Sequence, residues 1–232
     1  MTQRVIEITS PSFLTEPMLA AAEDISSFFH NDHPLCLEIG CGIGDFITQL
    51  AARHPERNYL AIDIYNKGCY KTCKKVDQAG LKNVRVMRAE ARYLLANFMR
   101  KESLEAIYIN CPDPWPKKRH RSRRLLSEAF LQMALLYLRP GGELNFATDF
   151  QDYAEDVATT IAAMDGYANG QDEPLSTARP DYPVSKYMRR FLEQGLPIYF
   201  VHYFKRHDCT ITDQDVRLAQ GFRLSWEQVE NG

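Results

Sequence analysis

Residues 34–44 read PLCLEIGCGIG, and the change of character within that stretch decides the fold. A short apolar run over 35–39 fits a buried strand. Gly40, Gly42 and Gly44 then mark a sharp turn, and 44–54 take up helical spacing. The same alternation repeats downstream. RNYLAIDIY predicts a strand at about 58–64, followed by a helix over 66–79. NVRVMRAE predicts a strand at 83–88, with a short helix in ARYLLANFM. LEAIYIN predicts a strand at 104–110, and a helix follows over about 124–138 until RPGG stops it. ELNFAT predicts a fifth strand at 143–148 before a helix over 149–164, and LPIYFVHYFKR (196–206) is a late β-rich run assigned to the same sheet. Strands alternating with helices of this length imply right-handed crossovers and a doubly wound, mostly parallel α/β sheet. Ligands of such folds sit at the carboxyl ends of the strands, so the residues that end each strand are the ones to read.

The chain has 232 residues, enough for one sizeable core. One domain is expected over 1–206, its first 34 residues an N-terminal extension, with a tail over 207–232. Apolar residues make up 45% and charged residues 25%, as in an ordinary globular protein. The N-terminus lacks the apolar core of a secretory signal and no run is long enough to span a bilayer, so a cytoplasmic protein without membrane attachment is expected. The six cysteines are too sparse for a disulfide scaffold. Cys69 and Cys73 have metal-like spacing without a second ligand pair, so no metal is expected. The net charge is −2, but residues 117–124 hold six of the 28 Lys and Arg, leaving 22 basic against 30 acidic residues elsewhere. Positive field is thus concentrated at one place on an acidic body, the pattern of a local anion site.

Gly40-Cys41-Gly42-Ile43-Gly44 has the spacing G-x-G-x-G, unlike the G-x-G-x-x-G of dinucleotide binders, and Glu38 precedes it. A carboxylate there repels a pyrophosphate and suits a cation such as an amino-acid ammonium. Asp63, at the end of the second strand, is placed to accept from ribose hydroxyls, and Glu90, after the third, to reach an adenine amino group. A nucleoside with a cationic amino-acid tail and no phosphate describes S-adenosyl-L-methionine. The alternatives are that Asp63 caps a helix and that Glu90 is a solvated loop acid.

NCPDPWPKKRH (110–120) falls at the end of the fourth strand. Prolines on both sides of Asp113 restrict its backbone, so the carboxylate is held before substrate arrives. Trp115 offers a flat face for a base. LEIGCGIGDF, AIDIY, NCPDPWPKKRH, RRLL, LRPGGELNFATD and DYAEDV resemble, in order and interval, the bacterial tRNA (guanine-N7)-methyltransferase family over about residues 35–160. The resemblance implies a seven-stranded sheet of the class I S-adenosylmethionine-dependent methyltransferase type and methylation of a variable-loop guanosine of tRNA. It implies donor binding by Glu38, Gly40, Gly42, Asp63, Glu90, Ala91 and Asn110, and an active-site acid in Asp113. It also implies tRNA contacts from Lys117, Arg123, Asp149, Ser185 and Tyr187. Monomer and homodimer stay open. If all six basic residues of 117–124 met phosphates, log affinity would fall against log salt with a slope of roughly −4 to −5.

The sequence departs from the family at three places. Where the family carries T-x-[FY]-E, this chain has Ser185-Lys186-Tyr187-Met188, so a hydroxyl is kept and a carboxylate lost. Cys111 stands where Phe is usual, and the residues from His207 extend past the usual end, with ITDQDVRLAQGFRLSWEQ read as an amphipathic addition. Two other readings stay open: a methyltransferase of another substrate, and a tRNA-binding paralogue that no longer catalyses.

Overall fold

A computed structural model describes residues 5–212, 214–216 and 221–224 of the chain. These fall into two compact units, Met1–Pro34 with Glu38–Met99 and Gln220–Gly232, and Leu35–Leu37 with Arg100–Ala219.

The first unit carries β1 (Phe13–Leu14), α1 (Glu16–Ala21), α2 (Asp45–Arg53), β3 (Asn58–Asp63), α3 (Asn66–Gln78), β4 (Val84–Arg88) and α4 (Ala91–Phe98). β2 (Leu35–Ile39) is divided between the two units. β1 and β3 both pair parallel with β4. Asn58 N donates to Pro34 O at 2.9 Å and Gly40 N to Ile62 O at 2.8 Å, which carries β2 alongside β3 in the same direction. Every residue of β2 is buried, as its unbroken apolar run predicts for a strand covered on both faces. Ile47, Leu60, Ile62, Val86 and Leu94 fill the core of this unit.

The second unit holds β5 (Leu104–Asn110), α5 (Glu128–Tyr137), β6 (Leu138–Thr148), α6 (Gln151–Ala162), β7 (Tyr167–Asn169), α7 (Lys186–Leu192) and β8 (Tyr199–Lys205). β5 and β6 are parallel, whereas β8 runs antiparallel to both β6 and β7. Ile107, Leu131, Leu144, Phe146, Tyr153 and Ile161 are its buried centre. Lys205 is also fully buried, and its ammonium donates to Glu102 Oε1 and Leu138 O at 2.7 and 3.0 Å. A charge is buried here because both acceptors are supplied.

The doubly wound α/β class is the one expected, and the described residues carry eight strands where the resemblance implies seven. Two- and three-residue strands such as β1 and β7 are too short to leave an alternation in the sequence. The RPGG stretch does not separate helix from strand: β6 starts at Leu138 and runs through it, with a register shift opposite Leu104 and Ala106 and Gly141 at φ 76°. That irregularity lets the ladder continue past Pro140. The helix expected from 124 begins at Glu128, where Ser127 caps it by accepting from Phe130 N at 3.4 Å. Residues 118–123 upstream form a short 3-10 helix. Half of the tail stretch 211–228, read as amphipathic, lies outside the described residues, and its described residues form no helix or strand. No helix among the described residues is long and apolar enough to cross a membrane.

Candidate functional site

In the first unit the glycine turn is held from two sides. Gly40 and Cys41 N–H groups both donate to Ile62 O, and Gly42 N donates to Asp63 Oδ2 at 2.8 Å. Asp63 Oδ1 accepts from Tyr65 N at 2.8 Å. Asp63 therefore ties the turn to the start of α3. α3 presses on the turn from behind. A Cβ on Gly68 would stand 2.5 Å from Gly42 O, and one on Gly44 2.9 Å from Thr72, whose hydroxyl donates to Gly42 O at 3.2 Å. Gly68 and Thr72 carry no signal in the motif itself, but small residues four apart in NKGCYKT mark a helix face that another backbone approaches closely.

The front of the turn is open. Gly40 and Gly42 have φ of 83° and 56°, and a Cβ on either would meet nothing within 4 Å. Glu38, only 1% exposed, lies directly before them. The Cys41 thiol inside the turn is pushed well above its ordinary pKa, first by its hydrogen bond to Cys69 and by burial, with the negative charges of Asp63 and Glu38 adding to the effect. The turn thus sits in negative potential, which favours a cationic ligand over a phosphate.

Glu90 is buried and caps α4: Oε2 accepts from Tyr93 N at 3.0 Å and Oε1 from Arg92 Nε at 2.7 Å. It is therefore no solvated loop acid, and Ala91 is buried beside it as the first residue of the helix. Cys69 and Cys73 are free, buried thiols, and among the described residues no group of three metal-binding side chains occurs.

In the second unit Asn110 ends β5. Its Oδ1 accepts from Tyr182 OH at 2.8 Å, whereas its Nδ2 is buried without a hydrogen-bond partner. The amide is thus aimed by Tyr182 with both N–H donors of its nitrogen unspent. Next come Cys111 and Trp115, both with positive φ, 45° and 43°, bracketing Pro112-Asp113-Pro114. A left-handed non-glycine residue costs of order 1–3 kcal/mol and persists only where its surroundings enforce it. Here the enforcement is visible: Cys111 N donates to Ala147 O at 2.7 Å, and Arg124 Nε donates to Pro114 O at 2.9 Å. The turn holds Asp113 outward and exposed.

Asp149 and Tyr187 stand near that turn. Burial raises the Tyr187 pKa most, and the charge of Asp149, the Cys111 thiol and the charge of Asp113 raise it further. The Cys111 thiol is pushed up to about 12 by burial first and by Asp149 second. Ser185 caps α7, its Oγ accepting from Met188 N at 3.1 Å. S-x-x-E is the pattern of a capping box, and with Met at the last position only half of that box remains. Met188 is 1% exposed and packs with Ala147, Ile198 and Phe200, against which Cys111 also lies. Two of the three departures from the family, Met188 and Cys111, thus belong to one apolar cluster. Glu193, the other acid near this element, is exposed at the far end of α7.

The basic run divides in two. Arg124 is buried, with its guanidinium on Asp152 at 2.7 Å and on Asp156, and 4.6 Å from the Tyr153 ring centre. Arg121 pairs with the same two aspartates. Lys117, Lys118, Arg119 and Arg123 are exposed. The Arg123 guanidinium lies 4.9 Å from the centre of the Trp115 ring, so a cation covers one face of that indole, and His120 meets the ring edge-on.

Residues 32–201 match the family model described as "Putative methyltransferase". A tRNA (guanine-N(7)-)-methyltransferase of Syntrophotalea carbinolica is 58% identical, with all of both chains covered. One of Geobacter metallireducens is 50% identical over 88% of this chain and 97% of its own. Among solved structures, the 16S rRNA methyltransferase KamB aligns with a TM-score of 0.59 at 16% identity, covering 80% of this chain and 95% of that one.

Proposed function

The chain belongs to the tRNA (guanine-N(7)-)-methyltransferase family, and on that premise we propose how its own residues serve the reaction. It transfers a methyl group from S-adenosyl-L-methionine to N7 of a guanine in tRNA.

The first unit fits that donor. Gly40 and Gly42 offer bare backbone with open space before it, and the acidic field at the turn suits an ammonium. Glu38 meets that ammonium, Asp63 accepts from the ribose hydroxyls, and Glu90 beside Ala91 faces the adenine. The family resemblance assigns Asn110 to the donor as well, and its buried Nδ2 has no hydrogen-bond partner. When bound, the donor supplies an electrophilic methyl on a sulfonium.

Guanine N7 carries an in-plane lone pair and no proton, so no residue has to act as a base on it. Alignment is then the main catalytic lever, worth roughly 7–11 kcal/mol at best. Asp113 accepts from the guanine N–H edge and stabilises the positive charge that the ring acquires. Asp149, Tyr187 and Ser185 border the base, and Lys117 and Arg123 engage phosphates. The observation that carries this reading is the exposed Asp113 carboxylate on a turn braced by two left-handed residues, beside four exposed cations.

The test is transfer from labelled donor to unmodified tRNA, followed by nucleoside analysis. Formation of 7-methylguanosine is expected, with Asp113→Ala losing transfer while still binding donor. A wild-type protein that leaves 7-methylguanosine undetected, or an Asp113→Ala variant as active as wild type, refutes the assignment.

A further inference from the structure

Residues 221–224 lie beyond the stretch matched by the family model, and the reaction as described gives them no task. They nonetheless meet the first unit at a telling place. Gly221 has φ +61°, and a Cβ there would stand 2.0 Å from Glu90 Oε2, 2.6 Å from Tyr93 N and 3.1 Å from Arg92 Cβ. Both the backbone conformation and the space require glycine. The chain therefore rests directly on the Glu90 carboxylate and the first turn of α4.

Two residues on, Arg223 grips Glu16 with both ends of its guanidinium, Nε to Oε2 at 3.1 Å and Nη2 to Oε1 at 3.0 Å. Glu16 Oε1 also accepts from Tyr93 OH at 3.1 Å, and Tyr93 N donates to Glu90. Arg223, Glu16, Tyr93 and Glu90 thus form one continuous chain of polar contacts, with Gly221 seated on its last member. An exposed ion pair alone contributes little. A bidentate pair that shares its acceptor with a second donor sets geometry more than energy. Because β1 runs parallel to β4, the start of α1 with Glu16 and the end of β4 with Glu90 share the carboxyl edge of the sheet, where ligands of this fold class lie.

We propose that the C-terminal segment at Gly221–Arg223 completes the adenine end of the donor site, fixing the Glu90 carboxylate so that it selects a purine bearing an amino group. Gly221 and Arg223 are positioning residues in this account, acting through Glu90. The inference rests on the reading of Glu90 as the residue that faces adenine. A purine with an oxo group in place of the amino group presents a second acceptor to that carboxylate and is rejected.

The test compares binding of S-adenosylhomocysteine and S-inosylhomocysteine by calorimetry, in the full-length protein and in the Gly221→Val and Arg223→Ala variants. Wild type is expected to favour the adenine compound by about tenfold or more, and both variants to lose most of that ratio through weaker binding of the adenine compound alone. An unchanged ratio overturns the proposal, whether the two affinities stay as in wild type or fall together as for a merely structural role. If wild type binds neither compound, the donor site itself is wrongly assigned and the inference falls with it.

Discussion

Arg124 donates from Nε to Pro114 O at 2.9 Å, while the ends of the same guanidinium are held by Asp152 and Asp156 of α6. One buried side chain thus anchors the turn that presents Asp113 to a helix whose acids begin 28 residues further on. Replacing Arg124 with Met removes the anchor and leaves a Pro114 carbonyl without its donor. The expected cost is about 2–4 kcal/mol in urea unfolding, with a fall in kcat/KM beyond what the unfolded fraction explains. Arg124→Lys keeps the charge but not the fork, and is expected to recover stability only in part.

Only four cations of the run 117–124 are exposed, since Arg121 and Arg124 are spent on Asp152 and Asp156. The log of tRNA affinity against log salt is therefore expected to have a slope of roughly −3 to −3.5 from this run, shallower than six contacts would give. Arg123→Ala should reduce the slope by about 0.7–0.9, and Arg121→Ala should leave it unchanged. Filter binding across a salt series decides the matter, and equal reductions in the two variants would contradict the division.

Met188 packs in an apolar cluster at 1% exposure, so restoring the family carboxylate with Met188→Glu would bury a charge among Ala147, Ile198 and Phe200. The variant is expected to be destabilised by roughly 3 kcal/mol, and to lose activity in proportion to folded protein. Unfolding midpoints and initial rates on tRNA check this, and a stable variant with raised activity would show that the side chain can turn out of the cluster.

The glycines of the turn separate support from binding. A methyl on Gly42 points into open space, so Gly42→Ala is expected to cost about 1 kcal/mol for its positive φ while weakening donor binding by more than tenfold. Gly44→Ala meets Thr72 at 2.9 Å and should chiefly lower stability. Thermal midpoints and donor dissociation constants, measured side by side, are expected to rank the two variants in opposite orders.

The Asp152 carboxyl is held below its ordinary value first by its hydrogen bond to Arg124, and by the positive charges of Arg121 and Arg124. A depressed folded-state pKa adds stability that is fully present above the unfolded value, near 3.8, and is lost as pH falls through the lower folded value. Wild type should therefore lose more stability than Asp152→Asn as pH drops from about 5 to about 2.5. Because Asp152 is partly exposed, solvent screening keeps the difference small. Parallel pH profiles of the thermal midpoint for the two proteins would count against this coupling.

What this sequence determined by itself is what neighbouring residues encode. The glycine turn after β2, the alternation of strands and helices, and the proline-braced Asp113 are all local: dihedral preference, hydrophobic period and ring closure act within a few residues. The tertiary structure alone decided what depends on distant partners. KKRHRSRR reads as one cationic run until α6 folds Asp152 and Asp156 onto Arg121 and Arg124, leaving four charges for a polyanion. Met188 reads as a missing carboxylate until α7 turns it into the cluster that also receives Cys111. Gly221 reads as one more tail residue until the chain returns to lie against Glu90, 131 residues earlier in sequence. Charge neutralisation, burial and close backbone approach are properties of pairs brought together in space, and no local pattern in the sequence records which pairs those are.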